Sequence, residues 1–113
     1  MAKKPETVFK DRIIPKLKAL PRTYVMKTQE VSKRGVLDII MCCNSTFVAL
    51  ELKKDSKSSP DALQKINIAK ITQAGGISIV THPENWHIVY RIVSEIAHKG
   101  LANTNIKEHT HAI

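Results

Sequence analysis

Val36-Leu37-Asp38-Ile39-Ile40-Met41-Cys42-Cys43-Asn44-Ser45-Thr46-Phe47-Val48-Ala49-Leu50-Glu51-Leu52-Lys53 is the stretch whose reading decides the fold. Residues 36–43 and 46–53 are two runs rich in Val, Ile, Leu and Phe, and Asn44-Ser45 between them predicts a tight hairpin turn. With a two-residue loop at 44–45, or a four-residue loop at 43–46, opposed residues have numbers that sum to 89. Asp38 then faces Glu51, and Lys53, two residues on, shares the face of Glu51. One face reads Leu37, Ile39, Met41 against Val48, Leu50, Leu52; it is wholly apolar and must be core. The other reads Val36, Asp38, Ile40, Cys42 against Phe47, Ala49, Glu51, Lys53, which gathers two acids and a lysine at one end. A three-residue loop would spoil this register, so the inference depends on the turn.

Working outward, residues 5–20 predict a helix. Pro5 suits its first turn, Glu6 its positive end, and Val8, Phe9, Ile13, Leu17 and Leu20 recur at helical spacing. Pro15 removes a hydrogen bond and crowds the previous turn, so a kink or break is expected there. Residues 23–29 predict a strand and Ser32-Lys33-Arg34-Gly35 a polar turn. After a polar loop at 54–59, Ser59-Pro60-Asp61 reads as a helix start, with Ser59 as N-cap. That helix runs to about Ala74 and stops at Gly75-Gly76. Residues 77–81 predict a short strand. Pro83-Glu84 opens a last helix, with Trp86, Val89, Ile92, Val93 and Ile96 on one stripe. The order α-β-β-β-α-β-α implies an α/β domain over residues 1–100, a mixed central sheet flanked by helices, followed by a flexible tail at 101–113.

The chain has 113 residues and a formal net charge of +8. Residues 1–34 hold ten Lys/Arg against Glu6, Asp11 and Glu30, and the rest hold eight against seven acids. Such a basic segment suits a polyanion, nucleic acid being the commonest, although a solvated lysine-rich surface has the same composition. No run approaches a membrane span, and the N-terminus does not read as a secretory signal. Cys42 and Cys43 are adjacent, so on a strand they point to opposite faces and are poor partners for each other. Free thiols fit a reducing compartment: cytoplasm, or nucleus in a eukaryotic cell.

Two facing carboxylates repel, and a divalent cation between them removes the conflict. Mg²⁺ takes hard oxygen ligands, retains waters and accepts substrate phosphate into its shell. Such an ion polarises a phosphodiester and activates a bound water, while Lys53 can position or deprotonate that water or neutralise developing charge. A salt-bridged surface hairpin would use the same three residues without any chemistry.

At this point the sequence resembles a known family. Gly35-Val36-Leu37-Asp38, then Phe47-Val48-Ala49-Leu50-Glu51-Leu52-Lys53, then a loop and Gln64 resemble the PD-(D/E)xK nuclease superfamily, and within it the VRR-NUC (virus-type replication-repair nuclease) branch. Arg34-Gly35 before the motif, Ser58-Ser59-Pro60 at the helix start and the Gly75–Val80 turn and strand extend the match over about residues 4–98. Leu37 stands where the family usually has proline. The resemblance implies a restriction-endonuclease-like core, with Asp38, Glu51 and the Leu52 backbone carbonyl as ligands of Mg²⁺ or Mn²⁺. It implies Lys53 as catalytic lysine, Gln64 supporting the lysine or the metal-bound water, and Glu6 reaching the metal through water.

Lys54, Lys57 and Lys65, and Ser32, Lys33 and Arg34 ahead of the motif, are candidates to hold DNA phosphates; solvated side chains are the plain alternative. Glu6 and Gln64 could likewise be ordinary helix residues. His82, His87 and His98 lack ligand spacing, and His109-x-His111 falls in the expected tail. Trp86 is expected in the core or an interface. The expected activity is that of a Mg²⁺-dependent, structure-selective DNA endonuclease resembling a homodimeric Holliday-junction resolvase. The alternatives are a flap, branch or general repair nuclease, a non-catalytic nucleic-acid-binding module on the same fold, and a structural assembly protein.

Overall fold

Asn44 and Ser45 both adopt left-handed backbone conformations, with φ of 46° and 69°. That is the two-residue turn whose twist matches the strands it joins. In the computed structural model, which describes residues 2–28 and 35–104, this turn links β2 (Ile39–Cys43) to β3 (Thr46–Leu52). Their pairs run from Cys43–Thr46 to Ile39–Leu50, all in the register expected from the sequence. β1 (Thr23–Lys27) pairs antiparallel with β2, and β4 (Ile77–Thr81) pairs parallel with β3. The four-stranded mixed sheet therefore has the order β1-β2-β3-β4.

The all-apolar hairpin face is core. Ile39, Met41, Val48, Leu50 and Leu52 are almost completely buried. Two helices cover them: α1 (Pro5–Lys18), through Phe9, Ile13, Ile14 and Leu17, and α3 (Trp86–Lys99), through Val89, Ile92, Val93 and Ile96. Phe9 and Trp86 meet edge to face at 6.0 Å, joining the two helices. Trp86 is thus a core residue, as expected. α2 (Ala62–Gln73) lies on the opposite face, where Gln64 reaches Glu51 and Ile71 adjoins Phe47 across Gly76. A Cβ on Gly76 would sit 2.8 Å from Ile71 and 3.2 Å from Phe47, so this close approach requires glycine.

Several boundaries differ from the sequence reading. α1 runs unbroken through Pro15, which is exposed. The proline forfeits one bond, and the buried stripe on either side holds the helix. α2 starts at Ala62 with Asp61 as N-cap, not at Pro60 with Ser59. The Asp61 carboxylate accepts from the Gln64 amide at 2.8 Å while the Gln64 side-chain oxygen accepts from the Asp61 amide at 3.0 Å. This reciprocal capping box satisfies two otherwise orphaned donors, which a serine cap two residues earlier would not. α3 starts at Trp86 rather than Pro83, because buried Asn85 organises the preceding turn: its carbonyl accepts from Thr81 and from the His82 amide, and its amide donates to Val80. Residues 101–103 form a short 3₁₀ turn; the rest of the expected tail, with His109 and His111, lies outside the described residues from 105 onward.

α3 is tied to the hairpin tip. Its last carbonyls accept hydrogen bonds from the Arg22 guanidinium (Ala97 and His98) and the Asn44 amide (Ile96 and Ala97). Cys42 is exposed and Cys43 buried, and both are free, in keeping with their opposite faces. No helix among the described residues is long and apolar enough to cross a membrane.

The left-handed conformation of Ser45 costs a non-glycine residue about 1 kcal/mol. Ser45→Gly should therefore raise unfolding stability by about 0.5–1 kcal/mol, the gain being partly offset by glycine's larger unfolded-state entropy. Urea titration measures this, and an unchanged or lowered midpoint would contradict the turn assignment.

Candidate active site

Beyond Ile39–Leu50 the β2–β3 ladder stops one pair short of Asp38 and Glu51. The two acids do not stand as a regular cross-strand pair. Asp38 instead turns its carboxylate onto the next backbone group, accepting from the Leu52 amide at 2.8 Å. Its own backbone is fixed from β1: the Thr28 amide donates to the Asp38 carbonyl at 3.0 Å, and the Thr28 hydroxyl donates to the Leu37 carbonyl. Leu37, next to Asp38, is buried.

Glu51 lies in β3, 2% exposed. One carboxylate oxygen, Oε2, receives both the Lys53 ammonium at 3.2 Å and the Gln64 side-chain amide at 2.7 Å. The other, Oε1, is buried without a partner. Burial first, and the neighbouring Asp38 carboxylate second, push the Glu51 carboxyl up to about 7; Lys53 pulls it part of the way back.

Lys53 follows β3 directly. Its amide donates to the Thr81 carbonyl at 2.9 Å, which anchors it to the end of β4, and its ammonium also donates to the Gln64 oxygen at 3.4 Å. Gln64 is thus held by the capping box of α2 while it bridges Glu51 and Lys53. The structure brings Asp38, Glu51, Lys53 and Gln64 together.

Glu6 approaches from α1. It lines a polar cavity of about 70 Å³ with Thr7, Lys10, Asp38 and Leu52. A strand residue's N–H and C=O point to the same lateral side, so the Leu52 carbonyl, like its amide, is directed towards Asp38. Asp11 stays outside this cavity and pairs with Lys3 at 2.7 Å; that hydrogen bond holds its carboxyl below the ordinary range.

The donors fit a hard cation in chemistry: two carboxylates, one of them with a buried oxygen that has no hydrogen-bond partner, and a backbone carbonyl. Among the described residues no cluster of three or more His, Cys, Asp or Glu side chains forms a metal-binding group. The carboxylate pair would therefore depend on the Leu52 carbonyl and on waters to complete a shell.

Lys54, Lys57 and Lys65 are exposed around the β3–α2 loop and the start of α2. The loop is shaped by Asp55, whose carboxylate accepts from the Lys57 amide and from the Ser58 amide and hydroxyl at 3.0–3.1 Å. Ser32, Lys33 and Arg34 lie outside the described residues. His82 pairs with Glu84 at 2.7 Å, and the His98 ring bonds to the Ser94 carbonyl. Thr28, Thr7 and Lys10 are not singled out by the sequence reading, which places Asp61 in the first turn of the helix rather than at its N-cap. Of these, Lys10 carried a signal, lying one helical turn after Glu6 on the same face.

The raised Glu51 pKa has a direct consequence for stability. The folded state binds this proton more tightly than the unfolded chain does, whose glutamate titrates near 4.5. The associated stabilisation is fully present below pH 4.5 and is lost as pH rises through about 7. Glu51→Gln should flatten that part of the stability–pH profile and leave the protein at least as stable as wild type at pH 8. Urea denaturation across the pH range measures this; an unchanged slope in the variant would overturn the assignment to Glu51. Comparison of the chain with family models, with curated proteins and with solved structures finds no match to any of them.

Proposed function

We propose that this protein is a Mg²⁺-dependent DNA endonuclease of the PD-(D/E)xK type on a restriction-endonuclease-like core, resembling the VRR-NUC branch. The observation that carries this reading is Glu51: a buried carboxylate beside a second one, with one oxygen held by Lys53 and Gln64 and the other without a partner. A buried acceptor without a partner costs about 1–3 kcal/mol, which a purely structural salt bridge gains nothing by keeping. A site that binds a cation requires such an acceptor.

Asp38, Glu51 and the Leu52 carbonyl would hold the ion, which supplies charge neutralisation at the phosphodiester and a water of lowered pKa. The side chains of this chain have separate tasks. Asp38 is oriented by the Leu52 amide. Lys53, tied to β4 through its amide, presents a cation where negative charge develops on the phosphate. Gln64 keeps Glu51 and Lys53 in a fixed relation. Glu6, in the adjoining cavity, orients water. Lys54, Lys57 and Lys65, with Ser32, Lys33 and Arg34, would contact backbone phosphates, consistent with the excess of positive charge in residues 1–34. The substrate is branched DNA, a four-way junction in the leading case, cut by a homodimer inside the cell.

Labelled four-way junction and linear duplex incubated with Mg²⁺, Mn²⁺ or EDTA test this directly. Symmetric cuts near the branch, with either metal and not with EDTA, are expected; no cleavage of any DNA would overturn the proposal. Lys53→Ala should reduce cleavage at least about 100-fold while leaving junction binding in EDTA within a small factor of wild type. Independently of activity, Mg²⁺ should raise the melting temperature of wild type at pH 8, and Glu51→Gln should abolish that rise.

A further inference from the structure

α2 packs over β3 and β4, and among the described residues no helix covers the same face of β1 and β2. That open surface is apolar. Tyr24 is 67%, Met26 43% and Phe47 45% exposed, and with Ile40, Met41 and Cys42 they line a shallow concavity of about 180 Å³. The flank of α2 beside it is apolar too. Leu63 lies against Gly35, just ahead of β2, so this flank looks towards the open strands; Ile66, one turn on, shares it. α2 buries no residue fully, and both side chains are about half exposed. Five of the six large hydrophobics exposed among the described residues stand on this side, the sixth being Val8 on α1.

We propose that this face is where a second copy of the chain docks, forming a two-fold dimer through the outer surface of β1 and β2 and the adjoining flank of α2. The proposal rests on the homodimeric part of the function proposed above and gives it a surface. Three features favour a second copy over another occupant. The first is area. The exposed parts of these side chains amount to on the order of 500 Å² of apolar surface, as large as the biggest patch on an ordinary monomer. A standard interface covers about 800 Å² on each partner and is roughly 65% apolar in homodimers, which calls for a patch of this size. The second is charge. Among the described residues no charged side chain lines the concavity, so two copies that each carry +8 can meet there without opposing lysines, whereas a nucleic acid would find no cation among them. The third is shape. Tyr24, the most exposed of the set, stands on an edge strand at the rim of the concavity, so a two-fold axis lets each copy's tyrosine enter the other's concavity.

The surface also continues into the candidate site. Asp38 and Cys42 are four residues apart on one face, about 13 Å along the strand. Both sites of such a dimer would border the interface.

Sedimentation equilibrium of the full chain tests this, together with thiol labelling. Wild type at tens of micromolar should have twice the mass of the chain. Tyr24→Lys and Met26→Lys should each weaken dimerisation at least about 10-fold, the equivalent of about 1.4 kcal/mol, while Val8→Lys leaves it unchanged; thermal melts check that each variant is folded. Maleimide should modify Cys42 at least several-fold more slowly at concentrations where the dimer forms than in dilute protein, and this protection should vanish in Tyr24→Lys. A monomeric wild type, or a dimer whose mass and Cys42 labelling ignore both lysine substitutions, would overturn the proposal. The two readings fail separately. A monomer that still cuts a junction removes this surface and leaves the nuclease standing; a dimer that protects Cys42 but cuts no DNA does the reverse.

Discussion

The hairpin turn at Asn44-Ser45 is the constraint on which the rest of the structure depends. Because side chains alternate with a period of two, a slip of one residue between β2 and β3 would exchange the two faces. With β2 held in place, Leu50 would then meet α2 and solvent, and Glu51 would enter the core under α1 and α3 beside Met41. Two residues in left-handed conformations prevent this, and the apolar face reinforces them, since only one register puts Ile39, Met41, Val48, Leu50 and Leu52 together. The turn is also a docking point. Asn44 caps the last carbonyls of α3, so the register of the hairpin and the seating of that helix are coupled through one side chain.

At the other end of the hairpin the regular ladder gives way, and the charged residues are held by individual bonds instead. Thr28 fixes the Asp38 backbone, the Leu52 amide fixes its carboxylate, the Thr81 carbonyl fixes the Lys53 backbone, and the cap of α2 fixes Gln64. Each functional group is positioned by a different element. What they surround is a carboxylate with an elevated pKa and half its hydrogen-bonding capacity unused. Buried polar groups are ordinarily satisfied, and departures cluster where a protein binds or reacts.

The parts of this arrangement legible in the sequence are those with a period. Alternation along 36–53 reveals the faces and the register, and with them the neighbourhood of Asp38, Glu51 and Lys53. Helical spacing reveals the buried stripes of α1 and α3. The parts that were not legible depend on single hydrogen bonds. Thr28 carries no pattern that marks it as the anchor of Asp38. Ser59-Pro60 and Asp61-x-x-Gln64 are overlapping helix starts, and only the reciprocal bonds of the second decide between them. Asn85 displaces the start of α3 to Trp86 by organising the turn at Pro83-Glu84, whose residue types signal a helix start. Pro15 shows the reverse: a local signal for a break is overridden by the buried stripe it interrupts. The open apolar face was written in the alternation as well, since Ile40, Cys42 and Phe47 share the face of Asp38. Whether α2 would cover it was a question of tertiary placement that no local pattern answers.

That placement gives α2 a particular character. Among the described α-helices it alone has no fully buried side chain; it is held by its cap, by Gln64 and by half-buried contacts of Asn67, Ile68 and Ile71. Segments with so little buried apolar area open at the lowest free energy in a hierarchy of local unfolding. Amides of α2 are therefore expected to exchange with solvent ahead of those in β2, β3 or α3, and an opening of the helix would withdraw Gln64 from Glu51 and Lys53. On the α2 side, exposure of the Glu51 carboxylate is therefore tied to the local stability of that helix.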